Sequence, residues 1–115
     1  MKDQPHKLPP AELEVMDFAH QLTPAEFDIL AERRRQIMQE GWTEEHDNQH
    51  DGGELAEAAG CYVCCAHHDW SSAEVPAEWP WAPEWWKPTT ARRDLVKAAA
   101  LLIAEIERLD RAEGC

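Results

Sequence analysis

The sequence predicts a small all-α bundle of three to four helices carrying a long, ordered Trp- and Pro-rich loop. Three observations lead there. No segment alternates apolar and polar residues over the length of a strand. Apolar residues instead recur at helical spacing behind recognisable caps. Between two such segments lies a 24-residue stretch with four Pro and five Trp, which fits no regular element. At 115 residues the chain suits a lead-in over residues 1–9 and one all-α domain with a modest core over 10–115.

Residues 1–9 are polar and bounded by proline. From Pro10 to Leu22 the residues Leu13, Val15, Met16, Ala19 and Leu22 suit a short helix with a loose period. The next start signal is sharper. Thr23, Pro24 and Glu26 supply an N-cap, a proline in the first turn and the acidic third residue of a capping box. Phe27, Leu30, Ala31, Ile37 and Met38 follow at helical spacing, with Arg33 and Arg35 on other faces and Arg34 within the apolar stripe. Gly41 ends this helix.

Residues 42–53 (WTEEHDNQHDGG) read as a loop or a frayed helical turn. Glu54 to about Ala66 is rich in helix formers and small residues, so a closely packed helix is expected, weakened by Gly60. Residues 67–90 form the irregular loop. Thr89 or Thr90 then caps a helix to about Ala112, whose apolar stripe comprises Leu95, Ala98, Ala99, Leu102, Ile103, Ile106 and Leu109. Arg108 and Arg111 suit its C-terminal end.

Eleven Lys+Arg against 23 Asp+Glu give a net charge of −12. Such a field repels polyanions, so neither nucleic acid nor an anionic membrane is an expected partner. Mean hydropathy is −0.63, and no apolar run suits a membrane span. The opening MKDQPHKLPP has no apolar core of a signal peptide, so a cytoplasmic chain is expected. Of four cysteines, Cys61, Cys64 and Cys65 crowd together, a spacing that suits reduced, packed thiols better than a disulfide framework.

Four constellations carry candidate chemistry. Glu44, Glu45, His46, Asp47, His50, Asp51, Glu54 and Glu57 offer oxygen ligands for a hard cation such as Mg²⁺. Glu54 and Glu57 share a helix face, and His46 and His50, four apart, suit a transition metal. The alternative for all of them is a solvated acidic surface. Cys61, Cys64, Cys65, His67 and His68 have the spacing of zinc ligands but no second Cys pair, which favours packing. Trp70, Trp79, Trp81, Trp85 and Trp86, with Trp42, offer stacking faces for a base or a cation, or anchors for the loop. Arg33, Arg34, Arg35, Lys87, Arg92, Arg93 and Lys97 could clamp a phosphate or pair with the abundant acids.

Several motifs resemble those of a family of small phage and prophage proteins: Gly41-Trp42-x-x-Glu45-His46-Asp47-x-x-His50, Glu54-Leu55-Ala56, and Arg92-Arg93-x-Leu95-Val96-Lys97 with the Ala104–Arg111 run. The resemblance spans about residues 30–112. Gly53-Glu54-x-x-Glu57 is similar to the Glu-Glu-x-x-Glu motif of all-α MazG-like nucleotide pyrophosphohydrolases, with Gly53 in place of the leading Glu. Their second motif would fall on Asp94-x-x-Lys97, where Lys97 reverses a ligand's charge. Arg35 to His50 is similar to a segment of ryanodine-receptor repeat domains, helical modules implicated in binding adenine nucleotides.

These resemblances imply a phage-type protein, in the host cytoplasm, that binds or sequesters a nucleotide or nucleotide signal. Trp42 with one or more of Trp79, Trp81, Trp85 and Trp86 would stack on the base. Arg34, Arg93 and Lys97 would hold phosphate, while Glu54 and Glu57, with Asp47, would position Mg²⁺ or ribose hydroxyls. The incomplete ligand pattern leans against turnover. An active Mg²⁺-dependent pyrophosphohydrolase is one alternative. A protein–protein adaptor using the Trp-rich loop against a host factor is another. The small-residue face of Ala56, Ala59 and Gly60 invites contact between chains, so a homo-oligomer is also among the expectations.

Overall fold

The computed structural model describes residues 21–68 and 74–113. Among them are four α-helices and one 3₁₀ turn, with no strand: α1 (Pro24–Gln39), α2 (Glu44–Asn48), α3 (Glu54–His68), the 3₁₀ turn Pro83–Trp85, and α4 (Ala91–Ala112). The expected all-α class is the observed one. No described helix is long and apolar enough to cross a membrane. Trp70 and all but the last two residues of the helix expected over Pro10–Leu22 lie outside the described residues.

Local chemistry sets the helix ends. The Thr23 hydroxyl accepts from the Glu26 N–H at 3.1 Å, and the Glu26 carboxylate accepts from the Thr23 N–H at 2.8 Å, completing the capping box. Gly41, at φ +76°, lets the chain turn back so that the Trp42 N–H reaches the Gln36 carbonyl at 3.0 Å. That turn fixes the position of Trp42. Thr43 then caps α2, so that part of the segment expected as a loop or a frayed helical turn is a short helix. Thr90 caps α4 through the Arg93 N–H at 3.1 Å.

Helices α3 and α4 form the centre. They run antiparallel: the Lys97 ammonium, near the start of α4, lies 5.4 Å from the Tyr62 ring centre, while Glu54, at the start of α3, feels Arg108 near the end of α4. Leu55, Ala58, Ala59 and Tyr62 pack on Ala98, Leu101 and Ala104. Small residues on both sides let the two backbones approach closely. The bulk of the core comes instead from the loop, where Trp79 and Trp86 are buried against Tyr62 with ring centres 5.7 and 4.7 Å away. Cys61 and Cys65 are buried and Cys64 is exposed, and none of the three is in a disulfide.

Helix α1 docks on α4 through charge, not through its apolar stripe. Its buried residues are Glu32, Arg33 and Gln36. Phe27 and Met38 are 61% and 80% exposed. On α4, likewise, Leu95, Leu102, Ile106 and Leu109 face outward, and Asp94, Val96, Ala98, Ala100, Leu101, Ala104 and Arg108 face in. The long apolar residues Phe27, Leu30 and Met38 of α1 and Leu95, Leu102, Ile106 and Leu109 of α4 thus mark the outer faces, whereas Ile37, Ala99 and Ile103 of the expected stripes are half-buried and Ala98 turns inward. The inner contacts are the Arg33 bonds to Asp47 of α2 at 3.0 Å and to Glu107 of α4 at 3.1 Å and the Arg93 bond to Glu32, with an exposed Arg92–Asp28 pair at 2.8 Å at the surface.

Candidate functional site: a Trp-walled cavity with a histidine pair

Trp42, His46 and His50 are spaced four apart, and the α1–α2 turn and α2 bring their rings into one row. Trp42 stacks on His46, with ring centres 6.0 Å apart and planes 4° from parallel. His46 and His50 meet edge to face at 4.7 Å. The loop supplies the opposite wall. Trp81 lies 5.5 Å from Trp42 and 5.2 Å from His50, and Trp85 lies 6.4 Å from Trp42. With Glu40 and Ala82 these rings enclose an open cavity of about 350 Å³, within the range typical of small-molecule sites.

The loop wall is held from behind. The Trp79 indole donates to the Ala82 carbonyl at 3.1 Å. The Lys87 N–H donates to the Tyr62 hydroxyl at 3.2 Å, and the Thr89 N–H to the Asp94 carboxylate at 2.9 Å. Trp79 and Trp86 therefore anchor the loop, leaving Trp81 and Trp85 to line the cavity. The buried Trp81 indole N–H has no acceptor among the described residues.

Charge is distributed unevenly around the cavity. Glu40 is engaged by Arg35 at 2.6 Å, and Arg35 also bonds Glu32 at 2.8 and 2.9 Å, so its guanidinium is held more firmly protonated than usual. Burial pulls the Glu32 carboxyl upward, but Arg35, Arg93 and Gln36 outweigh it and hold the group below its ordinary value. Burial, then the neighbouring His46, lowers the proton affinity of His50, against weaker pulls from Glu54 and Asp47. Beside Trp85 stand two amines. The Lys87 ammonium lies 5.3 Å from that ring, and Lys97, its proton affinity lowered mainly by burial, donates to the Lys87 carbonyl.

The residues singled out from sequence divide into groups. Trp42, Trp81 and Trp85 converge on the cavity, and Lys97 lies beside it, joining Trp42 and Trp85 in lining a neighbouring cleft. Trp79 and Trp86 sit in the core. Arg34 is exposed on the outward stripe of α1, two residues from both Glu32 and Gln36 and so on the far side of the helix. Arg93 is paired with Glu32. Asp47 is fully buried and bonded to Arg33. The Glu54 carboxylate is held below its ordinary pKa by its own backbone N–H and then by the Gly52 N–H, which donates to it at 2.9 Å. Glu57 borders a separate cavity of about 710 Å³ between α3 and residues 74–78, lined with Cys61, Cys64, Val75 and Glu78 and without stacking rings. Among the described residues, no three His, Cys, Asp or Glu side chains are grouped to hold a metal ion.

Glu40 is not among the sequence-derived candidates, and Lys87 is read there only as one of several cations that could clamp a phosphate. His46 and His50 are read from sequence as part of an acidic cluster and, four apart, as a pair suited to a transition metal, while their spacing from Trp42 carries the further signal for a shared face. Comparison with protein-family models, curated proteins and solved structures finds no match for this chain.

Proposed function

We propose that this chain binds a nucleotide or nucleotide-like ligand, with the base held in the cavity against Trp42, Trp81 and Trp85. The observation that carries the reading is the convergence of three indoles and two imidazoles on one cavity of about 350 Å³. Indole faces stack on any base, and polar groups select its edge. His46 and His50 supply those polar groups. Lys87 and Lys97, next to Trp85, supply cations for phosphate in an otherwise acidic chain. Arg34 and Arg93 take no part in this arrangement.

A walled cavity, not a continuous exposed Trp patch, is what distinguishes a ligand site from an adaptor surface. Asp47, Glu54 and Glu57 are engaged or oriented separately, so binding without turnover is the activity proposed. The resemblance to nucleotide-handling helical domains points the same way.

The test is thermal shift and Trp fluorescence against mononucleotides, cyclic nucleotides and ADP-ribose-type dinucleotides, with and without Mg²⁺. Ligand bound to the native state raises the melting temperature by mass action. Trp85→Ala should weaken a responding ligand about 5- to 150-fold, the equivalent of one stacked base, and Glu54→Gln should leave its affinity within twofold. A flat response across the panel refutes the proposal.

A further inference from the structure

The two imidazoles at the cavity floor meet in an unusual way. Their Nε2 atoms lie 3.4 Å apart, closer than the ring centres at 4.7 Å, so the nitrogens face one another. Two nitrogens bound to one tetrahedral metal at about 2.0–2.1 Å stand about 3.4 Å apart. We propose that His46 and His50 form a two-imidazole site for a borderline divalent transition metal such as Zn²⁺, Ni²⁺ or Cu²⁺, with the remaining coordination positions open to the Trp-walled cavity.

The surroundings of His46 support the assignment independently. The Asp47 carboxylate sits 3.3 Å from His46 Nδ1. A carboxylate there keeps the proton on Nδ1 and leaves the Nε2 lone pair free to ligate, the arrangement typical of metal-binding histidines. Asp47 is itself fixed, fully buried and bonded to Arg33 at 3.0 Å. Stacking on Trp42 and contact with Trp81 restrain the two rings. The donor set is nitrogen, which selects against Mg²⁺ and Ca²⁺. Two protein ligands make an open, exchangeable site, and a net charge of −12 favours cation entry.

The experiment titrates Ni²⁺ into the EDTA-stripped full chain under reducing conditions, without nucleotide, so that it stands apart from the nucleotide proposal. Trp42 and Trp81 lie beside the imidazoles, and bound Ni²⁺ should quench their fluorescence in a saturable 1:1 titration. His46→Gln and His50→Gln should each weaken binding at least tenfold while Cys64→Ser leaves it within twofold. On the unaltered chain, Zn²⁺ should shift the imidazole ¹⁵N resonances of His46 and His50, and that measurement decides the matter if a histidine variant fails to fold. Absence of saturable Ni²⁺ binding overturns the site. So does binding lost only with Cys64→Ser, or a Zn²⁺ response confined to other histidines.

Discussion

Replacing Asp47 with Ala would strand the Arg33 guanidinium inside the protein. Asp47 is fully buried, the Arg33 side chain is 7% exposed, and their bond measures 3.0 Å. Removing one partner of a buried pair costs about 3–5 kcal/mol, because the survivor keeps its charge and loses its compensation. Here Glu107 remains 3.1 Å from the same Nη2 atom, but its side chain is 49% exposed and its hold is weakened by solvent. The expected loss is therefore about 2–3 kcal/mol, a fall of about 10 °C in melting temperature for a chain this size. Urea unfolding followed by far-UV circular dichroism reads it directly. Arg33→Met combined with Asp47→Leu removes both charges and should recover to within about 1 kcal/mol of the parent. A loss below about 0.5 kcal/mol for Asp47→Ala would show that the pair does not hold α1 to α2. A double variant as unstable as the two single losses added together would refute the desolvation argument.

Trp86→Ala should cost about 3–5 kcal/mol in urea unfolding, as expected for a buried aromatic, whereas Trp85→Ala, 40% exposed, should cost less than half as much. Glu32 has a folded pKa below its unfolded one, so its stabilising contribution is complete above about pH 4.3 and fades as pH falls through the lower folded value. Glu32→Gln should accordingly flatten the acid limb of a urea-midpoint profile between about pH 2 and 6, and an unchanged limb would contradict the ion-pair assignment. In a Cys115→Ser background, maleimide should label Cys64 first; Cys61 is buried and its thiol is pushed up to about 11. Mass spectrometry of the earliest adduct checks this.

Helix ends were the most legible part of the sequence, because caps are local chemistry. Thr23-Pro24-x-Glu26, Gly41 and Thr90 each do what their side chains or backbone freedom require. Which face of each helix turns inward was not legible in the same way. Hydrophobic period marks Phe27–Leu30–Met38 and Leu95–Leu102–Ile106–Leu109, yet the bundle centre is filled by alanines and loop tryptophans, and α1 is attached by ion pairs. Neither device has an apolar period. For the site, Trp42, Trp81 and Trp85 could be nominated from composition, but separating them from the anchors Trp79 and Trp86 required the loop's path. The acidic residues looked like ligands because their partners, Arg33 for Asp47 and the Gly52 amide for Glu54, lie in tertiary or turn geometry that spacing does not display.

The cavity is a clasp with two jaws. One jaw, Trp42 with His46 and His50, is set by a turn beside α1. The other, Trp81 and Trp85, arrives some forty residues later, on a segment whose own structure is a single 3₁₀ turn. Neither jaw encloses anything alone. Any molecule held between them ties the segment around residues 79–87 to the α1–α2 corner, so occupancy should be read as slowed proteolysis and amide exchange in that loop. The loop thus carries two separable duties within a few residues: Trp79 and Trp86 close the core whether or not the clasp is filled, while Trp81 and Trp85 bear on whatever fills it.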